Sequence, residues 1–177
     1  MDFRGFNKWG HQPLVTAIVL CYNQARFVIA SLESVRKQTY KNIQSVIIDD
    51  ASSDDSAKLI RQWIKDNNIV CTFVAHEKNM GICKTLNEAL SYANGQYITI
   101  LASDDMWMPE KIHDQVIIMR KLDPGFGVVY SDAAIIDKEG TKSPESYIDQ
   151  CKKGHNFKKA PEGVVEVLVV HRGKLLL

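Results

Sequence analysis

The sequence predicts an open α/β fold, wound on both faces of a mostly parallel sheet. Two observations carry that prediction. Apolar, β-branched runs alternate four times with stretches of helical periodicity, the pattern of successive strand-helix-strand crossovers. The strand-like runs also stop abruptly in polar residues, twice in an acidic pair: Asp49-Asp50 after Val46-Ile47-Ile48, and Asp104-Asp105 after residues 97–101. In such sheets ligands gather at the carboxyl ends of the strands, so both pairs can share one crevice that suits a divalent metal and a nucleotide.

The elements follow in order. Residues 1–12 show no periodicity and read as an N-terminal arm; Pro13 then opens a first strand over residues 14–20, apolar enough to be covered on both faces. Phe27, Val28, Leu32 and Val35 recur at helical spacing over residues 25–37. A second strand, residues 44–48, leads through Ala51-Ser52-Ser53-Asp54 into a helix striped by Leu59, Ile60, Trp63 and Ile64, with Ser52 or Ser53 as the expected cap. Asp66-Asn67-Asn68 ends that helix. Residues 70–75 form a third strand, followed by a helix presenting Ile82, Leu86, Ala89, Leu90 and Ala93, which stops at Asn94-Gly95. Residues 96–101 form a fourth strand, and Pro109 suits the first turn of a helix carrying Ile112, Val116 and Met119. Beyond Asp123-Pro124-Gly125, residues 126–130 read as a fifth strand and 133–136 as a sixth. The polar stretch 138–163 reads as loop, and the apolar residues 164–177 have no evident partner element.

Composition narrows the function. With 177 residues, 45% of them hydrophobic, the chain can bury one substantial core. A net charge of +1 gives no reason to expect nucleic acid as a partner. No apolar run reaches the ~20 residues of a membrane span, so the expectation is a cytoplasmic protein, with peripheral contact at the inner face of the membrane left open. Cys21, Cys71, Cys83 and Cys151 are too scattered for a zinc or redox motif and read as small buried hydrophobes. The basic residues of Lys152-Lys153-Gly154-His155-Asn156-Phe157-Lys158-Lys159 read as a solvated loop.

The acidic pairs are the strongest chemical signal. Mg²⁺ and Mn²⁺ commonly take one or two carboxylates plus substrate phosphates, which Asp104-Asp105 can provide; the same residues could instead cap the helix after Pro109. Asp49-Asp50 could build a turn, yet a turn needs one acid at most, and a second can accept a hydrogen bond from a base N–H or a ribose hydroxyl. Asn79-Met80-Gly81 precedes a helix whose N-terminus attracts phosphate, with Lys84 on its first turn. No Walker loop, Gly-x-Ser-x-Gly elbow or metal-spaced His pair is visible.

Four blocks, residues 14–23, residues 46–54, Asn79-Met80-Gly81 and residues 95–105, together resemble family 2 glycosyltransferases in order and spacing, over about residues 13–132. The resemblance implies a GT-A fold, a Rossmann-like three-layer α/β/α sandwich with a mostly parallel central sheet. It also implies a nucleoside-diphosphate sugar donor, most simply a UDP-sugar, with Mn²⁺ or Mg²⁺ bridging its phosphates, and a saccharide or lipid-linked acceptor, as in cell-surface polysaccharide synthesis. Matched to the motifs, Tyr22 and Asn23 line the base and ribose pocket, Asp50 holds base or ribose, Asp104 contacts ribose or metal, and Asp105 is the main metal ligand. Lys84 is the weaker match. Ala51 stands where the family block has glycine, which is tolerated if its φ is negative. The metal motif reads Ser-Asp-Asp rather than Asp-x-Asp.

Residues 13–177 are therefore expected to form one GT-A domain, truncated at its C-terminal side, with the general base beyond Leu177; Asp132, Asp137 and Glu162 are candidates for the acceptor side, and none is assigned as the base. A sugar nucleotidyltransferase is the nearest rival, but it would show a Gly-rich basic loop where Cys21-Tyr22-Asn23-Gln24 stands. A non-catalytic nucleotide-sugar-binding module is the rival outside enzymes. A phospho-receiver would carry its acidic pair after the first strand, not after the second and fourth.

Overall fold

The computed structural model describes residues 12–122, 126–137, 141–146 and 170–171. Strands β1 (Val15–Cys21), β2 (Ile43–Asp49), β3 (Thr72–Ala75) and β4 (Tyr97–Ala102) alternate with helices α1 (Val28–Arg36), α2 (Ser56–Asp66), α3 (Ile82–Ser91) and α4 (Lys111–Lys121). The sheet runs β3-β2-β1-β4, all parallel, and β7 (Val170–His171) adds antiparallel to Tyr97 and Ile98 at the far edge. The first three strands are added in one direction, and β4 then joins the other side of β1. That reversal puts a topological switch point between β1 and β4.

Strand alternation separates two apolar faces. Ala17, Val19, Ile47 and Leu101 pack against Val28, Leu32 and Val35 of α1 and Ile60 and Trp63 of α2, while Val15 and Tyr97 meet Ile112, Val116 and Met119 of α4 on the same side. Ile18, Val46, Ile48 and Ile98 face the opposite way, against Ala89 of α3 and Ala93. The result is the expected three-layer α/β/α sandwich. Among the described residues no helix is long and apolar enough to cross a membrane.

Several elements differ from the expectation. Residues 126–130 form no strand: Phe126, Val128 and Tyr130 are exposed, only Val129 is buried, and no ladder satisfies their backbone among the described residues. Residues Ala134–Ile136 do form a strand, β5, but it pairs antiparallel with β6 (Lys142–Ser146) in a separate ribbon rather than joining the main sheet. The polar stretch containing β6 read as loop because it carries Pro144 and almost no apolar residues, which only an edge ribbon tolerates. Ile82 is 73% exposed because it opens α3 beyond the ends of the strands, so Thr85 and Ala89 carry the buried face. Cys83 is exposed on the same turn, contrary to the buried reading that holds for Cys21. The arm 1–11, residues 151–160 with the basic loop and Cys151, and Glu162 lie outside the described residues.

Ser52 and Ser53 do not cap α2. The helix begins at Ser56 with Asp55 before it, and the serines instead serve the loops at the sheet edge. Ala51 has φ +60°, so the condition of negative φ fails. A left-handed non-glycine residue costs about 1–2 kcal/mol, whereas glycine gives back about 0.4–1 kcal/mol through its freer unfolded chain. Ala51→Gly should therefore stabilise the protein by about 0.5–1 kcal/mol, read as a raised denaturant midpoint with unchanged slope.

Candidate functional site

The loops after β1, β2, β3 and β4 all leave the same edge of the sheet, because the four strands are parallel. The backbone ladder continues past the strand ends: Asp50 N–H donates to Cys21 C=O at 2.8 Å, His76 N–H to Asp49 C=O at 2.9 Å, and Ser103 N–H to Leu20 C=O at 3.2 Å. Tyr22-Asn23, Asp50, His76 and Asp104-Asp105 are thereby delivered to one rim.

The β1 and β2 loops are laced together by side chains. Asn23 takes φ +54°, a conformation that asparagine tolerates, and its N–H donates to Ser52 Oγ at 2.8 Å while its Oδ1 accepts Ser53 N–H at 2.8 Å. Gln24 N–H donates to Ser56 Oγ at 2.9 Å, and Ala25 N–H to Asp54 Oδ2 at 2.9 Å. Asp49 is spent within its own turn, accepting Ser52 N–H at 3.0 Å and the Ser52 hydroxyl. Tyr22, in contrast, is 50% exposed and leaves an aromatic face open at the rim.

Asp50 is buried and multiply bonded. Its Oδ1 accepts Met80 N–H at 2.8 Å and lies 2.7 Å from His76 Nδ1, and its Oδ2 accepts Gly81 N–H at 2.9 Å. Asn79 Nδ2 adds a bond to Asp50 C=O at 3.1 Å. Burial alone would raise the Asp50 pKa, but the Met80 amide, His76 and the Gly81 amide outweigh it and hold the carboxyl below the usual range. Three of about four acceptor positions on the carboxylate are occupied, and the buried Thr85 hydroxyl also helps to lower its pKa, so the side chain is engaged chiefly in holding this turn. Gly81, at φ +81°, opens α3 with nothing within 4 Å of a hypothetical Cβ, so the backbone there is open to approach.

Asp104 and Asp105 stand exposed after β4. Gln24 Nε2 reaches Asp104 Oδ2 at 3.3 Å, which ties the β4 loop to the β1 loop across the switch point. Asp105 accepts no side-chain hydrogen bond among the described residues. Partial desolvation, and then the charge of Asp104, raise its pKa, so a cation between the two would be stabilising. The described residues contain no cluster of three or more metal-ligating side chains. Two adjacent carboxylates still fit Mg²⁺ or Mn²⁺, ions that take the rest of their shell from phosphate and water. Lys84 is exposed on α3 and makes no ion pair among the described residues.

On the far side of Asp105 an open cavity of about 930 Å³ lies between β4, the start of α4 and residues 131–136, with Trp107, Lys111 and Asp132 in its wall. Asp137 closes the β5-β6 ribbon instead, accepting Thr141 N–H at 2.8 Å. Lys111 Nζ sits 4.3 Å from the Trp107 ring centroid and 3.3 Å from both Thr99 Oγ1 and Gln115 Oε1, with no carboxylate in salt-bridge range among the described residues. Burial pushes its pKa down to about 7. Sequence reasoning missed Lys111, His76, Glu88, Gln24 and Asp54; of these only His76, directly after a strand, carried any signal.

The "Glycosyl transferase family 2" model matches residues 16–165. An Escherichia coli UDP-Glc:alpha-D-GlcNAc-diphosphoundecaprenol beta-1,3-glucosyltransferase, WfaP, is 41% identical over 106 residues, which is 60% of this chain and 41% of that protein. The Streptococcus pneumoniae glycosyltransferase GlyG is 35% identical over 58% of this chain and 35% of its own. Among solved structures, the mannosyltransferase PcManGT from Pyrobaculum calidifontis, in complex with GDP-Man and Mn²⁺, superposes with a TM-score of 0.64 at 28% identity, covering 70% of this chain and 36% of that one. S. aureus TarS 1–349 with UDP gives 0.60 at 23% identity over 75% of this chain and 38% of its own, a likeness of fold. The chain thus spans about two-fifths of the length of these proteins.

Lys111 supplies a test of the cavity wall. Its folded pKa of about 7 lies below the ordinary lysine value of about 10.4, so between those limits the unfolded chain binds more protons and stability rises with pH. Lys111→Met should stabilise the protein at pH 7 by about 1 kcal/mol and flatten the rise between pH 7 and 10, both read by chemical denaturation.

Proposed function

The chain belongs to glycosyl transferase family 2, and from that premise we propose that its strand-end crevice binds a nucleoside-diphosphate sugar, most simply a UDP-sugar, for transfer to a saccharide or lipid-linked acceptor. Residues 13–177, after an arm of residues 1–12, contribute the donor-binding part of that domain. The observation that carries the reading is the convergence of Asp50 and Asp104-Asp105 on either side of β1 at the switch point, the place where open α/β sheets bind nucleotides.

In this reading Tyr22 offers its exposed face to the base, Asn23 lines the base and ribose pocket beside it, and Asp50 holds base or ribose. Asp104, already near the β1 loop through Gln24, contacts ribose or metal. Asp105 is the main ligand for Mn²⁺ or Mg²⁺, and the GDP-Man and Mn²⁺ held by the mannosyltransferase neighbour support that assignment. Lys84 lies on the first turns of α3 where it can reach a phosphate. The bound metal would neutralise the diphosphate leaving group. The protein's own task is to hold the donor so that its anomeric carbon faces an acceptor hydroxyl: the bond from that carbon to the diphosphate breaks, the bond to the acceptor oxygen forms, and the hydroxyl proton passes to a base.

The undecaprenol-linked substrate in the E. coli relative's name supports a lipid-linked acceptor, and with it work at the cytoplasmic face of a membrane through peripheral contact. The cavity beside Asp105, walled by Trp107 and Asp132, lies where an acceptor could approach.

Two substitutions test the site. Asp105→Asn should abolish the Mn²⁺-dependent part of UDP affinity in calorimetry while the thermal transition stays cooperative; unchanged metal-dependent affinity would remove Asp105 from the site. Asp50→Ala should weaken UDP binding by about ten- to a hundredfold, because it removes a charged acceptor and the anchor of the Met80-Gly81 turn together, and parental affinity would remove Asp50 from the site altogether.

A further inference from the structure

Both ring nitrogens of His76 face carboxylates. Nδ1 lies 2.7 Å from Asp50 Oδ1 and Nε2 lies 3.1 Å from Glu88 Oε2, with the His76 and Asp50 side chains only 9% and 7% exposed. A neutral imidazole has one N–H and can serve one of these acceptors; an imidazolium has two and serves both. The surrounding groups favour the cation. Asp50 approaches from the end of β2, and Glu88 approaches from α3, where its other oxygen accepts the Tyr92 hydroxyl at 3.3 Å. Glu77 and Lys78, next in the same loop, are exposed and make no ion pair among the described residues. The balance at the ring is two carboxylates against one imidazolium.

We propose that His76 is a positioning residue for the nucleotide: as an imidazolium bridging Asp50 and Glu88, it locks Asp50 under the Met80 and Gly81 amides and makes donor affinity fall as the ring loses its proton. The inference rests on the donor-site reading above. Without the proton one of the two bridges is lost and a nearly buried carboxylate loses its counter-charge. The turn that Asp50 organises then loosens, and a ligand must order it on binding.

Burial pulls the His76 pKa down, but the hydrogen bonds and charges of Asp50 and Glu88 outweigh it, so the folded value is raised. The bridge is therefore complete below the ordinary histidine value of about 6.5 and is lost as pH climbs through the higher folded value.

Two measurements on the full chain separate this inference from the reading beneath it. NMR titration of the His76 ring without ligand, with amide exchange at Met80 and Gly81, reports the bridge; calorimetry with UDP from pH 6 to 9, on the parent, His76→Gln and Glu88→Gln, reports its effect on binding. The ring should titrate above 6.5, and the two amides should lose protection over the same range. Relative to His76→Gln, which shares the ligand's own titration, the parent's UDP affinity should fall roughly tenfold across that range, and Glu88→Gln should shift the fall to lower pH. A ring titrating at or below 6.5, or parallel affinity profiles for parent and His76→Gln, would overturn the inference. A high ring pKa with no UDP binding by the parent at any pH would overturn the donor-site reading instead, and the nucleotide role of His76 with it.

Discussion

The carboxylate of Asp50 gathers the Met80 amide, the Gly81 amide and the His76 ring, and in doing so fixes the end of β2 to the loop between β3 and α3. Each bond to an ionised acceptor contributes about 1.5–3 kcal/mol, and removing the carboxylate would leave buried donors without partners, which is the larger cost. The start of α3 inherits its place from this contact, since Gly81 is both a donor to Asp50 and the residue from which the helix begins. The hydrogen bonds that shape this turn also hold the carboxylate ionised.

Around that anchor the loops are interlocked pairwise. Asn23 and Ser52-Ser53 join the β1 and β2 loops, and Gln24 with Asp104 joins β1 to β4. Three loops that the sequence separates by tens of residues therefore behave as one rim on a rigid parallel sheet. Asp105 is the exception: its side chain is exposed and has no hydrogen-bond donor among the described residues, its pKa is raised by desolvation and then by the charge of Asp104, and the proposed cation would offset that repulsion. Two carboxylates held together without compensation cost stability, and a site that recruits a metal with its substrate carries that cost until the ligand arrives.

The four strands and four helices were readable because each has an unambiguous period and each strand is covered on both faces. The identity of the rim residues was readable for the same reason, since strand ends are where such sheets place chemistry. Less readable was how those residues are used. Asp50 looked like a free hydrogen-bonding group, but its partners come from residues 76–81, and no local pattern announces a contact across that distance. Ser52 and Ser53 read as caps because capping is a local rule, whereas Ser52 Oγ accepts the Asn23 N–H and the Ser53 hydroxyl donates to Asn23 Oδ1. Ala51 was expected in ordinary backbone, and the turn between Asp50 and Ser52 required the left-handed region instead. Past residue 122, residues 126–130 form no strand because apolar residues alone do not make one, and no neighbouring strand pairs with them among the described residues.

Every role proposed for this rim depends on its binding a nucleotide sugar. The most direct measurement is a thermal-shift series with UDP-, GDP- and dTDP-sugars, each with and without Mn²⁺. A ligand present at a hundred times its dissociation constant stabilises by about 2.7 kcal/mol, which for a chain of this size raises the transition by roughly 5–10 °C. Such a rise is expected for one nucleotide class, larger with Mn²⁺ than without. No rise with any of the three at millimolar concentration, with or without metal, would contradict it.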